Sequence, residues 1–370
     1  MSAIQQAFAR FAPTYLARFG DAIPIAHRKV IRAILDCRSP ALGQVCYACK
    51  VCGCAHLTPA SCGNRHCPQC QGRKSMAWLA KQAERQLPGR HFMLTFTVPE
   101  ALRPFLRAHQ RDGYSALFAA SSAAIKTLAR NPRHIGGDAC GFFGVLHTWG
   151  RQLQYHPHIH YLVPAGAMRV KDRRWMPSRE AFFLPVKALS PIFRRDFKAE
   201  IERAGLLDQI SSNVWDQKWV VHCQPIPNAK ACIQYLAPYV FKVAVSDQRI
   251  LRVDDHGVCL RWRKVGSHRL RTLRLAGIEF LRRFLNHVLP KGFIKVRHYG
   301  FMSSNSAISL DQVHLAIALN LAFDLPPVPK PQSPKPPPTC RACGGALKFI
   351  ALIRHADYAT RTTGPPARPT

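Results

Sequence analysis

The stretch RQLQYHPHIHYLV, residues 151–163, places His156, His158 and His160 at alternate positions in an apolar run. Side chains of a β-strand repeat every two residues, so these imidazoles would share one face while Ile159 and Tyr161 face the other. Imidazoles arrayed in this way can hold a divalent cation. The same pattern also suits a half-exposed strand without a ligand, so the rest of the chain must decide. A second set of candidate ligands lies in CYACKVCGCAHLTPASCGNRHCPQC, residues 46–70. Cys49 and Cys52 form one CxxC turn and Cys67 and Cys70 another, with 14 residues between them. Two such turns present four thiolates at the spacing zinc requires, so Cys49, Cys52, Cys67 and Cys70 are expected to bind a structural Zn²⁺. Cys46, Cys54, Cys62 and His66 could supply alternative ligands or a second ion. Arg65, Arg73 and Lys74 would let this small fold touch phosphates. A third feature is YLAPY, with Tyr235 and Tyr239 four residues apart, on one side of a continuous helix. A phenol with its ordinary pKa of about 10 is a poor nucleophile toward a phosphodiester at neutral pH. A divalent ion that polarises the phosphate would remedy this, so the histidine strand and the tyrosines need one another.

The composition agrees with such chemistry. Lys and Arg number 53 against 20 Asp and Glu, a formal charge of +33 in a chain of 370 residues, and this points to a polyanionic partner. A basic surface would also suit an anionic membrane, but no apolar run reaches 18 residues and the N-terminus lacks the long uncharged core of a secretory signal. A cytoplasmic, DNA- or RNA-binding protein is expected. In a reducing compartment the 14 cysteines are better read as metal ligands than as disulfides.

The elements that must position these groups follow from periodicity. Residues 1 to about 45 are helical in pattern, the cysteine cluster follows, and GRKSMAWLAKQAERQL is a basic amphipathic helix. Strands are predicted at HFMLTFTVP (91–99), GFFGVLHTWG, the histidine segment, FFLPV from residue 182, and WVVHCQPI, with helices up to about residue 130, at PIFRRDFKAEIERAG and at AKACIQYLAPYVFK. This alternation indicates an α+β fold. After residue 246 the chain is more basic and β-rich, with RILRVDD, VCLRWRKV, a helix at GIEFLRRFLNHVL and then KGFIKVRHYGF. The proline-rich 325–339 reads as a linker, and CRACGG beyond it as half of a zinc ribbon. The expected divisions are 1–88, a helical zinc-binding domain; 89–246, the α+β domain that carries the histidine strand; 247–324, a basic part; the linker 325–339; and the tail 340–370.

The segments HFMLTFTVP, GVLHTWGRQLQYHPHIHYLVPAGA, FFLPVKALSPIFR, YLAPYVFKVAVSDQRI, RRFLNHVLPKGFIKVRHYGF and SCGNRHCPQCQ together resemble the two-tyrosine rolling-circle transposases of bacterial insertion sequences, the insertion-sequence ninety-one type. These belong to the HUH endonuclease superfamily, named for a His, hydrophobic, His motif. The likeness runs in order from about residue 27 to 310. It implies a ferredoxin-like palm whose central antiparallel sheet carries the HUH pair, preceded by a small helical zinc-binding domain. By position it makes His158 and His160 ligands of a catalytic Mg²⁺ or Mn²⁺ and Tyr235 and Tyr239 the nucleophiles. A third ligand is implied, for which His147 on the preceding strand is the choice and Gln152 the reserve. The implied reaction cleaves and rejoins single-stranded DNA at the hairpin ends of a mobile element through a 5′-phosphotyrosine. No GxxxxGK[ST] phosphate loop is present, in keeping with transesterification without nucleotide hydrolysis.

One departure stands out. Where the family usually has a basic residue before the second tyrosine this chain has Pro238, which inside a straight helix costs about 3 kcal/mol. It keeps open a zinc-dependent DNA-binding protein that does not cut; a plasmid replication initiator or relaxase, which shares the nicking chemistry, is a second alternative, against which the N-terminal zinc cluster favours the transposase. The basic residues Arg261, Arg263, Lys264, Arg269, Arg271, Arg282, Arg283, Lys291, Lys295 and Arg297 are the expected DNA track, with Trp262 available to stack on unpaired bases.

Overall fold

The computed structural model describes residues 1–70, 72–179, 182–226, 233, 240, 244–264, 266, 267, 269–321 and 338–354, with the side chains of 72–74 and 321 left aside. In chain order come helices α1 (Ala3–Phe19) and α2 (Ile25–Asp36), strands β1 (Gln44–Cys49) and β2 (Ala55–Pro59), and helix α3 (Gly72–Glu84). Strand β3 (His91–Thr97), helices α4 (Arg103–Ala108) and α5 (Gln110–Arg130), and strands β4 (Phe142–Trp149) and β5 (Tyr155–Pro164) follow. Next are the hairpin β6 (Gly166–Arg169) and β7 (Arg174–Pro177), helix α6 (Val186–Arg203) and β8 (Val220–Ile226). The remainder holds β9 (Ile250–Asp254), β10 (Gly257–Arg263), β11 (Leu270–Leu275), the helix Gly277–Leu285, β12 (Val296–Tyr299), the helix Leu310–Leu321 and β13 (Leu347–Ile353).

The chain forms two compact units that are not contiguous in sequence. The first draws on residues within 1–73, 245–288 and 331–370. Its helix α1 is capped by the Ser2 side chain, which accepts from the Gln5 N–H, and it buries Ile4, Phe8, Ala12 and Tyr15 at helical spacing. Phe8 meets Phe284 of the helix Gly277–Leu285 edge-on at 5.1 Å between ring centroids. Two small antiparallel sheets complete the unit, ordered β13-β1-β2 and β11-β10-β9. Strand β13 thus lies in one sheet with β1 and β2.

The second unit, within residues 74–244 and 289–330, has a five-stranded antiparallel sheet ordered β12-β4-β5-β3-β8. Leaving β12 aside, the elements β3, α5, β4, β5, α6, β8 in the spatial order β4-β5-β3-β8 make the ferredoxin-like βαββαβ arrangement. One face of the sheet, with Phe92, Leu94, Phe96, Phe142, Leu146, Ile159, Tyr161 and Val163, packs on α5 and α6. Helix α6 contributes Leu189, Phe193, Phe197 and Ile201, an i, i+4 stripe. The expected strand FFLPV is not formed. Pro185 has no N–H to give a ladder and instead stands at the N-terminus of α6, while Phe183 and Leu184 enter the core as loop residues.

Candidate metal centre

The opposite face of that sheet carries the histidines. Period two along β5 sends Ile159 and Tyr161 into the α5/α6 core, so His158, His160 and Leu162 must face the other way, and along β4 His147 shares that side with Phe143 and Val145. In the β4–β5 ladder His147 stands opposite His158, and Val145 opposite His160. The ring centroids of His147 lie 5.3 Å from His158 and 4.6 Å from His160, and those of His158 and His160 are 4.7 Å apart. One ring nitrogen from each of the three lies within 4.8 Å of the others. Gln152 sits in the connecting hairpin, and His147 is the third imidazole that the fold brings in.

Local sequence accounts for this convergence. The ladder shifts register between His147 and Trp149, a bulge facing the start of β5, where Pro157 could not donate a ladder hydrogen bond. At Gly144 a Cβ would come within 2.3 Å of the Tyr161 ring, so only glycine lets the two strands close here. The Tyr161 hydroxyl is tied to Ser121 Oγ of α5 at 2.6 Å, which fixes that ring.

The three imidazoles are prepared for a cation. Burial holds His147 and His158 well below the ordinary histidine range, with the neighbouring imidazoles adding to the effect, and burial takes His160 down to about 4. Neutral rings keep a lone pair for a metal. His158 Nδ1–H donates to the backbone carbonyl of His156 at 2.7 Å, and His160 Nδ1 is 2.9 Å from Thr95 Oγ1, so each directs Nε2 toward the cluster. The donor set therefore fits a divalent transition ion. His156 takes another role: its Nδ1 accepts from the Arg103 guanidinium at 2.9 Å, and Arg103 also binds Glu100. Thr95 and Arg103 carry no motif in the sequence; the only signal for Thr95 is its period-two place in HFMLTFTVP. The register also sets the exposed His222 of β8 on this face, across β3 from His160.

The cysteines regroup, correcting the single Cys49, Cys52, Cys67, Cys70 set. Cys67 and Cys70 converge with Cys37 and Cys62, whereas Cys49 and Cys52 converge with Cys340 and Cys343. The physical reason is that each CxxC turn offers two sulfurs, and the β1–β2 hairpin carries the first turn away from the second. Cys37, at the end of α2, and Cys62 supply what Cys67 and Cys70 lack. Cys37 Sγ is 3.4 Å and Cys62 Sγ 3.5 Å from Cys70 Sγ. A tetrahedron with Zn–S bonds of about 2.3 Å has edges of about 3.8 Å, while a disulfide needs about 2 Å, so the set fits zinc. The hydrogen bond from Cys67 lowers the Cys62 thiol to about 5, and the same pairing raises Cys67. Cys46, Cys54 and His66 lie in neither group.

Tyr235, Pro238 and Tyr239 lie outside the described residues. Ile233 and Val240, on either side of them, are described as helical and buried, and they pack with Phe143, Val145 and Leu162 on the histidine face. Of the expected DNA track, Arg297 is committed inside the second unit, its guanidinium 4.5 Å over Phe118 and 5.3 Å over Phe293. Arg282 and Arg283 are paired with Glu279. Arg261, Arg263 and Arg271 are exposed on β10 and β11, and Arg271 lies 5.8 Å over Trp262.

Residues 141–308 match the family model described as "Putative transposase", and residues 7–98 match the "Transposase zinc-binding domain". The chain is 35% identical over 317 residues to "Putative transposase y4qJ" of Sinorhizobium fredii, covering 80% of this chain and 79% of the relative. The chain belongs to the insertion-sequence ninety-one type of transposases. The transposase is also 26% identical over 361 residues to the transposase for insertion sequence element IS801 of Pseudomonas savastanoi pv. phaseolicola, covering 88% and 83% of the two chains. No solved structure matches it. The histidine cluster falls within the transposase match, and Cys37, Cys62, Cys67 and Cys70 fall within the zinc-domain match. Among the described residues of this transposase no helix is long and apolar enough to cross a membrane, and DNA is its substrate.

Proposed function

We propose that this transposase cleaves and rejoins single-stranded DNA at the ends of a mobile element by tyrosine transesterification, with His147, His158 and His160 holding the catalytic ion and Tyr235 and Tyr239 acting as nucleophiles. The observation that carries this reading is that Ile233 and Val240, which bracket the two tyrosines, pack on the sheet face that bears the three imidazoles. A divalent ion bound by them would polarise a non-bridging phosphate oxygen and stabilise charge on the departing 3′ oxygen. The tyrosine oxygen bonds to phosphorus and its proton passes to solvent; the bond from phosphorus to the 3′ oxygen breaks, and that oxygen takes a proton from water. The products are a 5′-phosphotyrosine and a free 3′-hydroxyl, and attack by a 3′-hydroxyl on the phosphotyrosine reverses the step. Three imidazoles without a carboxylate favour Mn²⁺ over Mg²⁺, which prefers oxygen ligands. The thiolates of Cys37, Cys62, Cys67 and Cys70 would hold Zn²⁺ and stabilise a part of the chain with little core of its own.

The test is a covalent adduct. Incubation with end-labelled single-stranded oligonucleotides from the element's hairpin ends should give a protein–DNA adduct with Mn²⁺ and none with EDTA. The adduct should disappear in His158→Ala and in the double variant Tyr235→Phe/Tyr239→Phe. Binding of the same oligonucleotides with no adduct under any metal would favour a non-cleaving DNA-binding protein instead.

A further inference from the structure

Cys340 and Cys343 lie beyond both segments matched by the family models, yet they meet Cys49 and Cys52 across 288 and more residues of chain. Cys49 Sγ is 3.4 Å from Cys343 Sγ, Cys52 Sγ 3.7 Å from Cys340 Sγ, and Cys343 Sγ 3.4 Å from Cys52 Sγ. These separations approach the edge of about 3.8 Å expected of a zinc–thiolate tetrahedron and are far from the bond of about 2 Å in a disulfide.

The two halves of the cluster are built alike. In CKVCG the N–H groups of Val51 and Cys52 point at Cys49 Sγ, at 3.4 and 3.5 Å, and in CRACG the N–H of Ala342 points at Cys340 Sγ at 3.4 Å. Each turn closes on a glycine with positive φ, Gly53 at +72° and Gly344 at +74°, whose N–H returns to the carbonyl of the first cysteine at 3.1 and 2.9 Å. Amide donors aimed at sulfur stabilise thiolate rather than thiol, which is what a metal ligand requires. Gly345 completes the fit, because a Cβ there would stand 2.7 Å from Val51 Cγ2 and 3.0 Å from Cys49 Sγ. His56 Nε2 lies 3.1 Å from Cys340 Sγ, a further polar contact to one ligand. The backbone supports the junction: β13 pairs antiparallel with β1 from Gln44 opposite Ile353 to Cys49 opposite Leu347, and Lys50 N–H donates to Ala346 O at 3.0 Å.

We infer that Cys49, Cys52, Cys340 and Cys343 form a second tetrahedral thiolate site for Zn²⁺, one that joins the two ends of the chain and makes the C-terminal segment a structural part of the N-terminal zinc-binding unit. Half of its ligands come from the far end of the sequence, so the N-terminal part of the chain cannot complete the site alone. The inference does not depend on the nuclease reading, since none of these residues belongs to the histidine face.

Made in the His158→Ala background, so that the imidazole cluster adds no zinc to the count, the full-length chain, freed of loosely held metal by gel filtration, should contain two equivalents of zinc by mass-spectrometric metal analysis and little iron, the other metal that four thiolates accept. The double variant Cys340→Ser/Cys343→Ser should contain one. Cys343→His, which keeps a Cys₃His donor set that zinc accepts, should restore the count to two, and this rescue separates loss of a ligand from failure to fold. Backbone amides of β1 should exchange faster in the double-serine variant than in the parent chain or the rescue variant. A parent-chain content of one zinc, iron in place of zinc, or two equivalents retained after both serines are introduced would overturn the assignment.

Discussion

Replacing Thr95 by Val tests whether the histidine cluster is a metal centre without touching a ligand. Valine keeps the β-branched shape that suits β3 and removes only the hydroxyl that stands 2.9 Å from His160 Nδ1. His160 is largely buried, so its Nδ1–H would lose its partner where water cannot easily replace it. A buried donor left unsatisfied costs about 1–3 kcal/mol, or roughly 5- to 150-fold in a binding constant. Outer partners of metal-bound histidines contribute about 10- to 100-fold by a separate line of evidence, so Mn²⁺ affinity should fall about 10- to 100-fold. The assay is titration of Mn²⁺ into protein whose cysteine sets already hold zinc, with free Mn²⁺ followed by its paramagnetic resonance signal. Thr95→Ser should recover most of the loss, and His156→Ala, whose backbone carbonyl still serves His158, should lose far less. An affinity in Thr95→Val within twofold of wild type, or a loss that serine does not repair, would refute the assignment of His160 as a ligand directed by Thr95.

Acid should destabilise the protein through its buried neutral histidines, and His91 reports this away from the metal face's ligands. His91 is 1% exposed and burial lowers it to about 4, so the unfolded chain takes up a proton near pH 6.5 that the folded chain refuses. Its contribution is complete above about pH 6.5 and shrinks as the pH falls toward 4; between pH 7 and 5 the loss is about 2 kcal/mol, and urea melts of His91→Gln should be less pH-dependent by that amount. Equal pH slopes in the two proteins would contradict it. Phe193→Ala, at a fully buried ring 5.1 Å from both Phe96 and Trp219, should cost about 3–5 kcal/mol in the same melts while leaving Mn²⁺ affinity unchanged, because the ring packs on the other side of the sheet. Cys37→Ser should remove one zinc equivalent without altering Mn²⁺ binding by the histidines. With Mg²⁺ in place of Mn²⁺, adduct formation on the oligonucleotide should require a severalfold higher metal concentration.

What the sequence discloses here is what its short-range periodicity encodes. Alternation along HPHIH determines that His158 and His160 share a face; a third ligand is implied by the family resemblance alone, and the brevity of the hairpin from Trp149 to Tyr155 favours His147 for it, with Gln152 in reserve. The partition of the cysteines could not. Each CxxC turn is visible as a pair, but which pair meets which depends on closures of the chain that no local pattern records: Cys37 arrives from the end of α2, and Cys340 and Cys343 arrive just before β13, after the whole second unit has intervened. FFLPV failed as a strand for a local reason that was legible, since Pro185 cannot donate, yet the apolar run outweighed it. That Arg297 is half-buried over Phe118 and Phe293 could not be read either, because its sequence neighbours give no hint of the rings beneath it.

The same strand thus serves the core on one face and the histidine cluster on the other. Ile159 and Tyr161 anchor β5 in the aromatic core between α5 and the sheet, and a slip of one residue would send them to the histidine face and His158 and His160 into the core. The core therefore fixes the register on which the convergence of the three imidazoles depends. Tyr161 cannot yield, being held by Ser121 and wedged over Gly144, and the bulge after His147 then sets that imidazole against its partners. Hydrophobic packing on one side of a pleated strand preorganises polar groups on the other, so the imidazoles need no flexible loop to converge.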